Sequence, residues 1–424
     1  MAIILCALVA ACSHPSQPQD PRPSTVTAFV DVTVVAPRVG TAAAHQTVLV
    51  DGERIVRVGP TAEVGVPAGA RIVAAAGRFL VPGFADMHVH LPDTQPEIDR
   101  VLDLSLAAGV TTIRSMQGKP GHLEARARLA RDHRLAPELV LAGPPITEAL
   151  TPDQVRELVR DQKRAGYDLI KLLGGIDRAT YDALVAEAAA QHIPVVGHVP
   201  AQIGLAAALD ARQRTIEHVQ GYIAAAHDDP AQLAELARRT REAGVFNCPT
   251  LDFYAVALGP RDHLAERAGI SGYTTADELA TWTRALAERA VPADAAGRLA
   301  KIAAVVVALR DAGAPILVGS DTPDTFALPG FGYVEELHAL ARVGLSPADV
   351  LRAATASAAA ALGRPDDGAV AGARADLVLL ERDPLASVEN LAHPAGVMVR
   401  GRWSTRADLD ALLAAHRTSA AAPE

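Results

Sequence analysis

The chain has no excess of basic residues. Its 424 residues include 40 Lys and Arg against 49 Asp and Glu, which gives a formal net charge of −9. The arginines are scattered beside acidic residues along amphipathic segments, so the sequence has no basic stripe. This charge pattern argues against a nucleic-acid partner and leaves a small-molecule substrate as the expected partner.

Long apolar runs are also missing. The N-terminal stretch MAIILCALVAA is apolar but far shorter than the roughly 20 residues of a membrane-spanning helix. It is typical of a secretory signal, and VAAC at residues 9–12 resembles the bacterial lipobox, whose cysteine is lipidated. We expect residues 1–25 to be a signal peptide followed by a Pro- and Ser-rich tether, and the protein to be exported to the periplasm or cell surface. No Lys or Arg precedes the apolar run, which leaves open a misassigned start in a cytoplasmic protein.

Cysteines are few as well: the chain has three, at positions 6, 12 and 248. If the signal is removed and Cys12 is acylated, only Cys248 stays free, so the mature chain has no disulfide. The sequence therefore predicts an exported protein that attaches to the membrane only through a lipid on Cys12.

Both ends of the chain consist of short apolar runs between turn signals. Asp51-Gly52 separates two such runs and predicts a β-hairpin. Residues 368–403 show the same pattern at the far end. We expect residues 26–80 and 364–424 to form one composite β-sandwich domain.

Between these ends, apolar strand candidates alternate with helical segments, which indicates a parallel sheet. Eight candidates occur, at residues 85–90, 109–116, 138–142, 169–173, 194–198, 214–218, 244–248 and 316–320. The connection after the seventh is much longer than the others and predicts a helical insertion around residues 251–315. The predicted fold class is therefore α/β, with a (β/α)8 TIM barrel over residues 81–363 whose active site lies at the carboxyl ends of the strands.

Two histidines close the first barrel strand. Residues two apart on a strand point to the same side, so His88 and His90 project into one space about 7 Å apart at Cα. That spacing lets both imidazoles reach one metal ion. A strand with an ordinary polar face is the alternative for this pair taken alone.

Polar residues also end four later strands: Lys171, His198, His218 and Asp321. Lys171 lies among leucines and isoleucine, and a buried amine that loses its proton can be carboxylated by CO2. Alternatives are a lysine that reaches solvent, core histidines bonded to backbone carbonyls, and an aspartate that caps a helix. Six such residues at one end of one barrel favour a metal site.

Three further residues lie beside these strand ends. Tyr222, soon after His218, and Tyr254, after the seventh strand, are candidate substrate contacts, although packing is the alternative for each. Glu217 precedes His218 on the same strand and should face the opposite way, so we interpret it as structural.

Taken in order, VPGFADMHVHL, YDLIKLL, VVGHVP, TIEHV and GSDTP resemble the amidohydrolase superfamily, and LRAATASAAAALG with GAVAGARADLVLLERDPL is similar to its closing signature. The resemblance covers nearly the whole mature chain and is strongest to the imidazolonepropionase-related branch, which includes metal-dependent dipeptidases. Deaminases of the superfamily carry a glutamate three residues after the fifth-strand histidine, where this chain has Ala201. This difference argues against deamination.

The resemblance implies a binuclear centre of two divalent metal ions, with zinc as the expected ion. His88, His90 and Asp321 would bind the more buried ion, and His198 and His218 the second. Lys171, as a CO2-derived carbamate, would bridge the two ions. A hydroxide bridging the metals would attack the carbonyl carbon, and Asp321 would move the proton.

These inferences predict an exported metal-dependent amidohydrolase that cleaves a dipeptide or an N-acyl amino acid. A cyclic-amide or lactone hydrolase with the same site is the alternative within enzymes, and a solute-binding lipoprotein without turnover is the alternative outside them. The proton shuttle expected at Asp321 favours an enzyme. The oligomeric state stays open between a monomer and a homo-oligomer.

Overall fold

The structure is a computed structural model that describes residues 26–262, 264–267, 269–364 and 368–418. The signal peptide, lipobox and tether predicted for residues 1–25 lie outside the described residues. The chain opens with five strands, β1 Thr27–Ala36, β2 Thr41–Asp51, β3 Arg54–Pro60, β4 Arg71–Ala74 and β5 Phe79–Pro82.

The middle of the chain alternates strands with helices. The strands are β6 Phe84–Val89, β7 Val110–Ser115, β8 Glu138–Leu141, β9 Ile170–Leu172, β10 Val195–Gly197, β11 Thr215–Glu217 and β12 Phe246–Cys248. The helices are α1 Gln95–Ala107, α2 Pro120–Arg131, α3 Pro152–Ala165, α4 Arg178–Ala190, α5 Gly204–Asp210, α6 Tyr222–Ala226, α7 Pro230–Ala243, α8 Leu251–Leu258, α9 Ile270–Tyr273, α10 Ala276–Glu288 and α11 Ala295–Ala312. A short 3-10 helix, Leu264–Glu266, lies between α8 and α9.

The C-terminal part adds helices and returns to strands. Its elements are α12 Phe331–Arg342, α13 Pro347–Ala354, α14 Ala356–Ala361, β13 Leu377–Leu380, a 3-10 helix Val388–Leu391, β14 Pro394–Val399, β15 Arg402–Thr405 and α15 Arg406–Ala415.

Strands from both chain ends share one sheet. Its order is β15-β14-β13-β5-β1-β2-β3, with β4 paired to β1. The junction between the two ends is the antiparallel pair β5–β13, in which Leu80 faces Leu379. The predicted hairpin at Asp51-Gly52 joins β2 and β3, and Gly52 adopts a positive φ of 53°. The strands of the two chain ends thus combine in one mixed sheet, and the predicted β-sandwich stays a prediction.

The middle strands form two parallel sheets, β6-β7-β8 and β9-β10-β11-β12. Backbone hydrogen bonds connect them on one side, because the Gly143 N–H donates to the Leu169 carbonyl at 2.9 Å. On the other side, the predicted eighth strand is an extended segment without a regular ladder. There the Leu317 N–H donates to Asn247 at 2.8 Å, and the Met87 N–H donates to Val318 at 2.9 Å. The fold is therefore a TIM-barrel-like α/β arrangement, although the described strands of the barrel form no continuous eight-stranded sheet.

Local sequence explains where the barrel helices begin. Thr151 accepts from the Gln154 N–H and the Gln154 side chain returns to the Thr151 N–H, so a capping box starts α3. Pro152 occupies the first helical position, where its missing N–H costs nothing. The apolar sides of such helices pack against the parallel strands and bury the main core. Among the described helices, none combines the length and apolar character that crossing a membrane requires.

Candidate metal centre

The six metal-site residues predicted from the sequence occupy the carboxyl ends of the barrel strands. His88 and Lys171 lie on β6 and β9, near the ends of these strands. His90, His198 and His218 lie just beyond the ends of β6, β10 and β11, and Asp321 belongs to the extended eighth segment. The structure therefore brings all six to the same end of the barrel.

His88, His90 and Asp321 form the tightest part of this cluster. The Asp321 Oδ1 atom lies 3.3 Å from His88 Nε2 and 3.0 Å from His90 Nε2. One ligand atom from each of these residues falls within 4.8 Å of the others. His88 is fully buried and His90 is partly exposed, so the cluster lies at the bottom of an opening to solvent.

Hydrogen bonds fix which nitrogen of these imidazoles faces Asp321. The Nδ1 atom of His88 lies 2.9 Å from Glu217 Oε2, and that of His90 lies 3.0 Å from Gln117 Oε1. Both partner oxygens are acceptors, so each Nδ1 carries the proton and each Nε2 presents a lone pair to the site. Ligating histidines are commonly oriented by such an outer hydrogen bond.

Arg114 fixes the Glu217 carboxylate in turn. Its Nη2 atom donates to Glu217 Oε1 at 2.9 Å, and both side chains are buried. Burial opposes ionisation of Glu217, but the charge of Arg114 and the bond to His88 hold its pKa well below the ordinary value. Arg114, Glu217 and His88 therefore form an ordered chain that ends at the metal cluster.

His198, His218 and Lys171 complete the cluster. The His218 ring centroid lies 5.1 Å from that of His198 and 4.9 Å from that of His88. The His218 Nδ1 atom lies 2.7 Å from Thr250 Oγ1, whose own hydroxyl donates to the Pro249 carbonyl. Thr250 therefore accepts from His218, which leaves Nε2 of His218 with its lone pair.

Lys171 is only 1% exposed, and burial lowers the pKa of its amine to about 8. Its charge acts on the three neighbouring imidazoles. Burial, together with the charge of Lys171, lowers the pKa of His88 and of His198 to about 3 and lowers the pKa of His218. These histidines are neutral at neutral pH, which is the state that binds a metal.

Burial disfavours the ionised form of Asp321, but the neighbouring imidazoles of His88 and His90 outweigh it and hold the Asp321 pKa below its ordinary value. The site therefore offers neutral imidazoles beside an ionised carboxylate.

This donor set fits a divalent cation. His88 Nε2 is buried without a hydrogen-bond partner, and its lone pair faces a carboxylate oxygen. Two acceptors so close repel each other unless a cation lies between them. Imidazole nitrogen and carboxylate oxygen are ligand types suited to zinc and related ions.

Cys248 joins a second group of close ligand atoms, with His88 and Glu217. Burial raises the pKa of the Cys248 thiol well above its ordinary value, and Glu217 is already engaged by Arg114. This group therefore lacks the thiolate that a metal would bind.

At two positions near the site, neighbouring atoms come so close to the backbone that only glycine fits. Gly197, directly before His198, has φ 122°, and a Cβ there would lie 2.1 Å from the Leu172 carbonyl oxygen. A Cβ on Gly319 would lie 2.8 Å from the Cβ of His88. Larger residues at either position would displace the strands that carry the ligands.

Roles were predicted above for three further residues near the site. Tyr254 lies at the site, since its hydroxyl donates to the His218 carbonyl at 3.0 Å. The placement of Tyr222 as a substrate contact is wrong. Its ring is fully buried, and its hydroxyl bonds Thr240 and Asn247 at 2.8 and 3.0 Å. The interpretation of Glu217 as a structural residue facing away is also corrected, because its carboxylate contacts His88.

A barrel-like α/β fold with four histidines, an aspartate and a buried lysine at the carboxyl ends of its strands defines a class, the metal-binding hydrolases. Residues 79–404 match the sequence profile of the amidohydrolase family. The chain belongs to the amidohydrolase family, and it is a hydrolase of carbon–nitrogen bonds of the amide type.

Individual relatives agree with this assignment. Bottromycin amidohydrolase is 28% identical and has a TM-score of 0.76, with 94% of each chain covered. A Bifidobacterium longum structure assigned as a prolidase is 26% identical with a TM-score of 0.74, and the match covers 93% of this chain and 100% of that one. An imidazolonepropionase from Rubrobacter xylanophilus is 28% identical in an alignment of 371 positions that covers 79% of this chain and 84% of the relative.

Proposed function

We propose that the protein is a binuclear metal-dependent amidohydrolase that cleaves a dipeptide or an N-acyl amino acid. The observation that carries the proposal is the cluster of four imidazoles around the Asp321 carboxylate, beside a buried lysine. His88, His90 and Asp321 would hold one ion, and His198 and His218 the other. The carbamate of Lys171 would join the two, and zinc is the expected metal.

When bound, the metals would polarise the scissile carbonyl and lower the pKa of water at the site. The residues of the chain position the reactants and move the proton. Asp321 is ionised, so its Oδ2 atom can accept a proton and return it to the leaving amine. Phe253 and Tyr254 flank His218, with ring centroids 5.7 and 6.3 Å from its imidazole, and form an aromatic wall for the substrate.

Arg289 favours a substrate with a free carboxylate over a cyclic amide or lactone. It lines a small cavity together with Asp321, Phe253 and Asp324. Among the described residues, no carboxylate forms an ion pair with the Arg289 guanidinium. A guanidinium binds a carboxylate through two parallel hydrogen bonds, so Arg289 is suited to the carboxyl end of a peptide-like substrate.

Metal content tests the binuclear centre. Wild-type protein, Lys171→Ala and the surface control Lys301→Ala would be loaded with zinc in the presence of bicarbonate and compared for metal per chain. We expect about two ions in wild type and control and one or fewer in Lys171→Ala, because the proposal makes Lys171 the bridge between the ions. One ion in all three proteins would refute the bridge and favour a mononuclear hydrolase of cyclic amides.

Hydrolysis assays test the substrate class. Dipeptides and N-acyl amino acids would be compared with their methyl esters, using wild type, Arg289→Gln and the control Arg284→Gln on α10, the helix that ends just before Arg289. We expect the KM for the free acids to rise about tenfold in Arg289→Gln alone, with little change for the esters. Equal KM values for acid and ester in wild type would contradict a carboxylate-bearing substrate.

Export and anchoring form a separate part of the proposal, supported by the sequence of residues 1–25. The lipobox-like VAAC would be cut before Cys12, and the lipidated cysteine would hold the enzyme at the membrane. Fractionation of cells that express wild type or Cys12→Ser tests this directly. Membrane-bound wild type and released Cys12→Ser would support the anchor, and cytoplasmic protein in both cases would refute it.

A further inference from the structure

A second cleft opens at the end of the barrel opposite the metal centre. Its walls include Glu138, the first residue of β8, and Leu169, Pro194 and Arg214, which precede β9, β10 and β11. The metal-site residues lie at the other ends of these strands. The cleft has a volume of about 800 Å³, within the range of small-molecule sites.

Cationic side chains from several separate segments surround this cleft, although the chain as a whole is acidic. The cations are Arg126, Lys163, Arg214, Arg364, Arg400 and Arg402, and the carboxylates are Glu53, Glu138 and Asp168. The cleft therefore has twice as many cationic groups as carboxylates. Such a local reversal of charge attracts anions that the remaining surface repels.

Most of these cations have no carboxylate partner. Arg126 pairs with Asp168 at 2.5 Å, and Arg364 pairs with Glu138 at 2.6 Å. The other four form no ion pair with any described residue.

Three of these four donate to backbone carbonyls: Lys163 to His192 at 3.4 Å, Arg400 to Ala136 at 3.4 Å, and Arg402 to His133. A carbonyl oxygen orients a cation without neutralising its charge. Four cations without an ion pair among the described residues thus line one cavity, and they outnumber its unpaired carboxylate, Glu53.

We propose that this cleft binds a small molecule that carries a doubly charged phosphate group on an apolar body. Several such cations match a dianion better than a single carboxylate, and guanidinium forks fit pairs of phosphate oxygens. Leu129, Leu139 and Leu362 supply apolar surface beside the cations. A soluble phosphate ester and a phosphomonoester lipid headgroup share this chemistry.

Titration calorimetry with phenyl phosphate tests the site on the metal-loaded enzyme. The cleft variant combines Arg214→Gln with Arg400→Gln. The control variant combines Arg284→Gln with Arg298→Gln, which lie outside the cleft and change the charge by the same amount. We expect binding to weaken at least about tenfold in the cleft variant only, since each lost guanidinium removes a charge-assisted contact. Phosphate bound at the metals would be equally tight in every protein, so equal affinities, or no binding to wild type, would overturn the proposal.

Two measurements complete the test. Thermal unfolding and amide hydrolysis establish that the cleft variant is folded, and Arg400→Gln alone serves if the double variant is not. Vesicles of phosphatidylcholine with phosphatidic acid then identify the source of the ligand. Sedimentation with these vesicles that is lost in the cleft variant would support a lipid headgroup, whereas phenyl phosphate binding without vesicle binding would support a soluble ester. Preference for a DNA duplex over phenyl phosphate would overturn the proposal.

Discussion

Glu217→Gln should disable the metal centre although Glu217 is not among the ligands proposed for either ion. The Glu217 carboxylate accepts from His88 through one oxygen and from Arg114 through the other. Glutamine keeps the shape but offers one acceptor and one donor. If the amide nitrogen of the glutamine faces His88, it donates to Nδ1, and the imidazole must carry its proton on Nε2, the atom that faces Asp321. If the amide nitrogen faces Arg114 instead, two hydrogen-bond donors face each other and neither has an acceptor.

The expected size of the effect follows from these contacts. Loss of an outer partner of a ligating histidine typically lowers metal affinity about 10–100-fold. Removing one member of a buried ion pair costs about 3–5 kcal/mol of stability. Arg114 keeps hydrogen bonds to the Met87 carbonyl at 2.5 Å and to Thr215 at 2.9 Å. We therefore expect Glu217→Gln to lower the free energy of unfolding by about 3 kcal/mol, the lower limit of that range.

The assay compares Glu217→Gln with wild type and with Glu235→Gln, whose carboxylate pairs with Arg238 on the exposed side of α7. Zinc affinity would be measured by competition with a chelator, and stability by urea unfolding of the metal-free proteins. Glu235→Gln should match wild type in both measurements. Wild-type zinc affinity in Glu217→Gln would refute the orienting role of Glu217, and wild-type stability would refute the argument from the buried pair.

Three further predictions concern buried groups. Only the neutral amine of Lys171 reacts with CO2, and burial lowers its pKa to about 8. At a fixed concentration of dissolved CO2, the rate at which CO2 and zinc reactivate metal-free enzyme should therefore rise about tenfold per pH unit below this pKa and level off above it, and a pH-independent rate would contradict the role of the amine. Burial raises the pKa of Glu336 well above its ordinary value and so favours the neutral form of its carboxyl group. Glu336→Gln should change the free energy of unfolding by less than about 1 kcal/mol, whereas Glu336→Ala, which strands the Asp252 N–H, should cost about 2–4 kcal/mol in urea unfolding. Tyr222→Phe should lose about 1–2 kcal/mol of stability with unchanged kcat/KM, and a fall in kcat/KM would return Tyr222 to the substrate site.

The sequence predicted the cluster of proposed ligands because each of them lies near the carboxyl end of a short apolar strand or just beyond it. Alternation on β6 places His88 and His90 on one side, and parallel strands bring their carboxyl ends together. No pairing of distant side chains had to be known for this inference. The order of the apolar strands and of the polar residues at their ends was sufficient to predict the cluster.

The alternation rule gave a wrong orientation for Glu217. The prediction for Tyr222, made from its position soon after His218, was wrong as well. Alternation puts Glu217 opposite His218, but β11 ends at Glu217 and His218 already has a positive φ of 58°. The chain leaves the strand there, so both side chains reach the interior. Val219 and Gly221 also have positive φ, and the turned chain directs Tyr222 into the core. Non-glycine residues in this conformation carry no sequence signal that would reveal the turn.

These turns belong to the metal centre itself. His218, Thr250 and Asp321 have φ of 58°, 52° and 58°, and each such conformation costs about 1–3 kcal/mol in a residue other than glycine. The neighbouring strands hold two of them in place: the His218 N–H donates to Cys248 at 2.9 Å and the Asp321 N–H to His88 at 2.7 Å. Relaxing the backbone would break these bonds and separate the imidazoles from the carboxylate. The strain is thus tied to the geometry of the cluster, and it is stored in His218 and Asp321, which are proposed to bind the metal, and in Thr250, which orients His218.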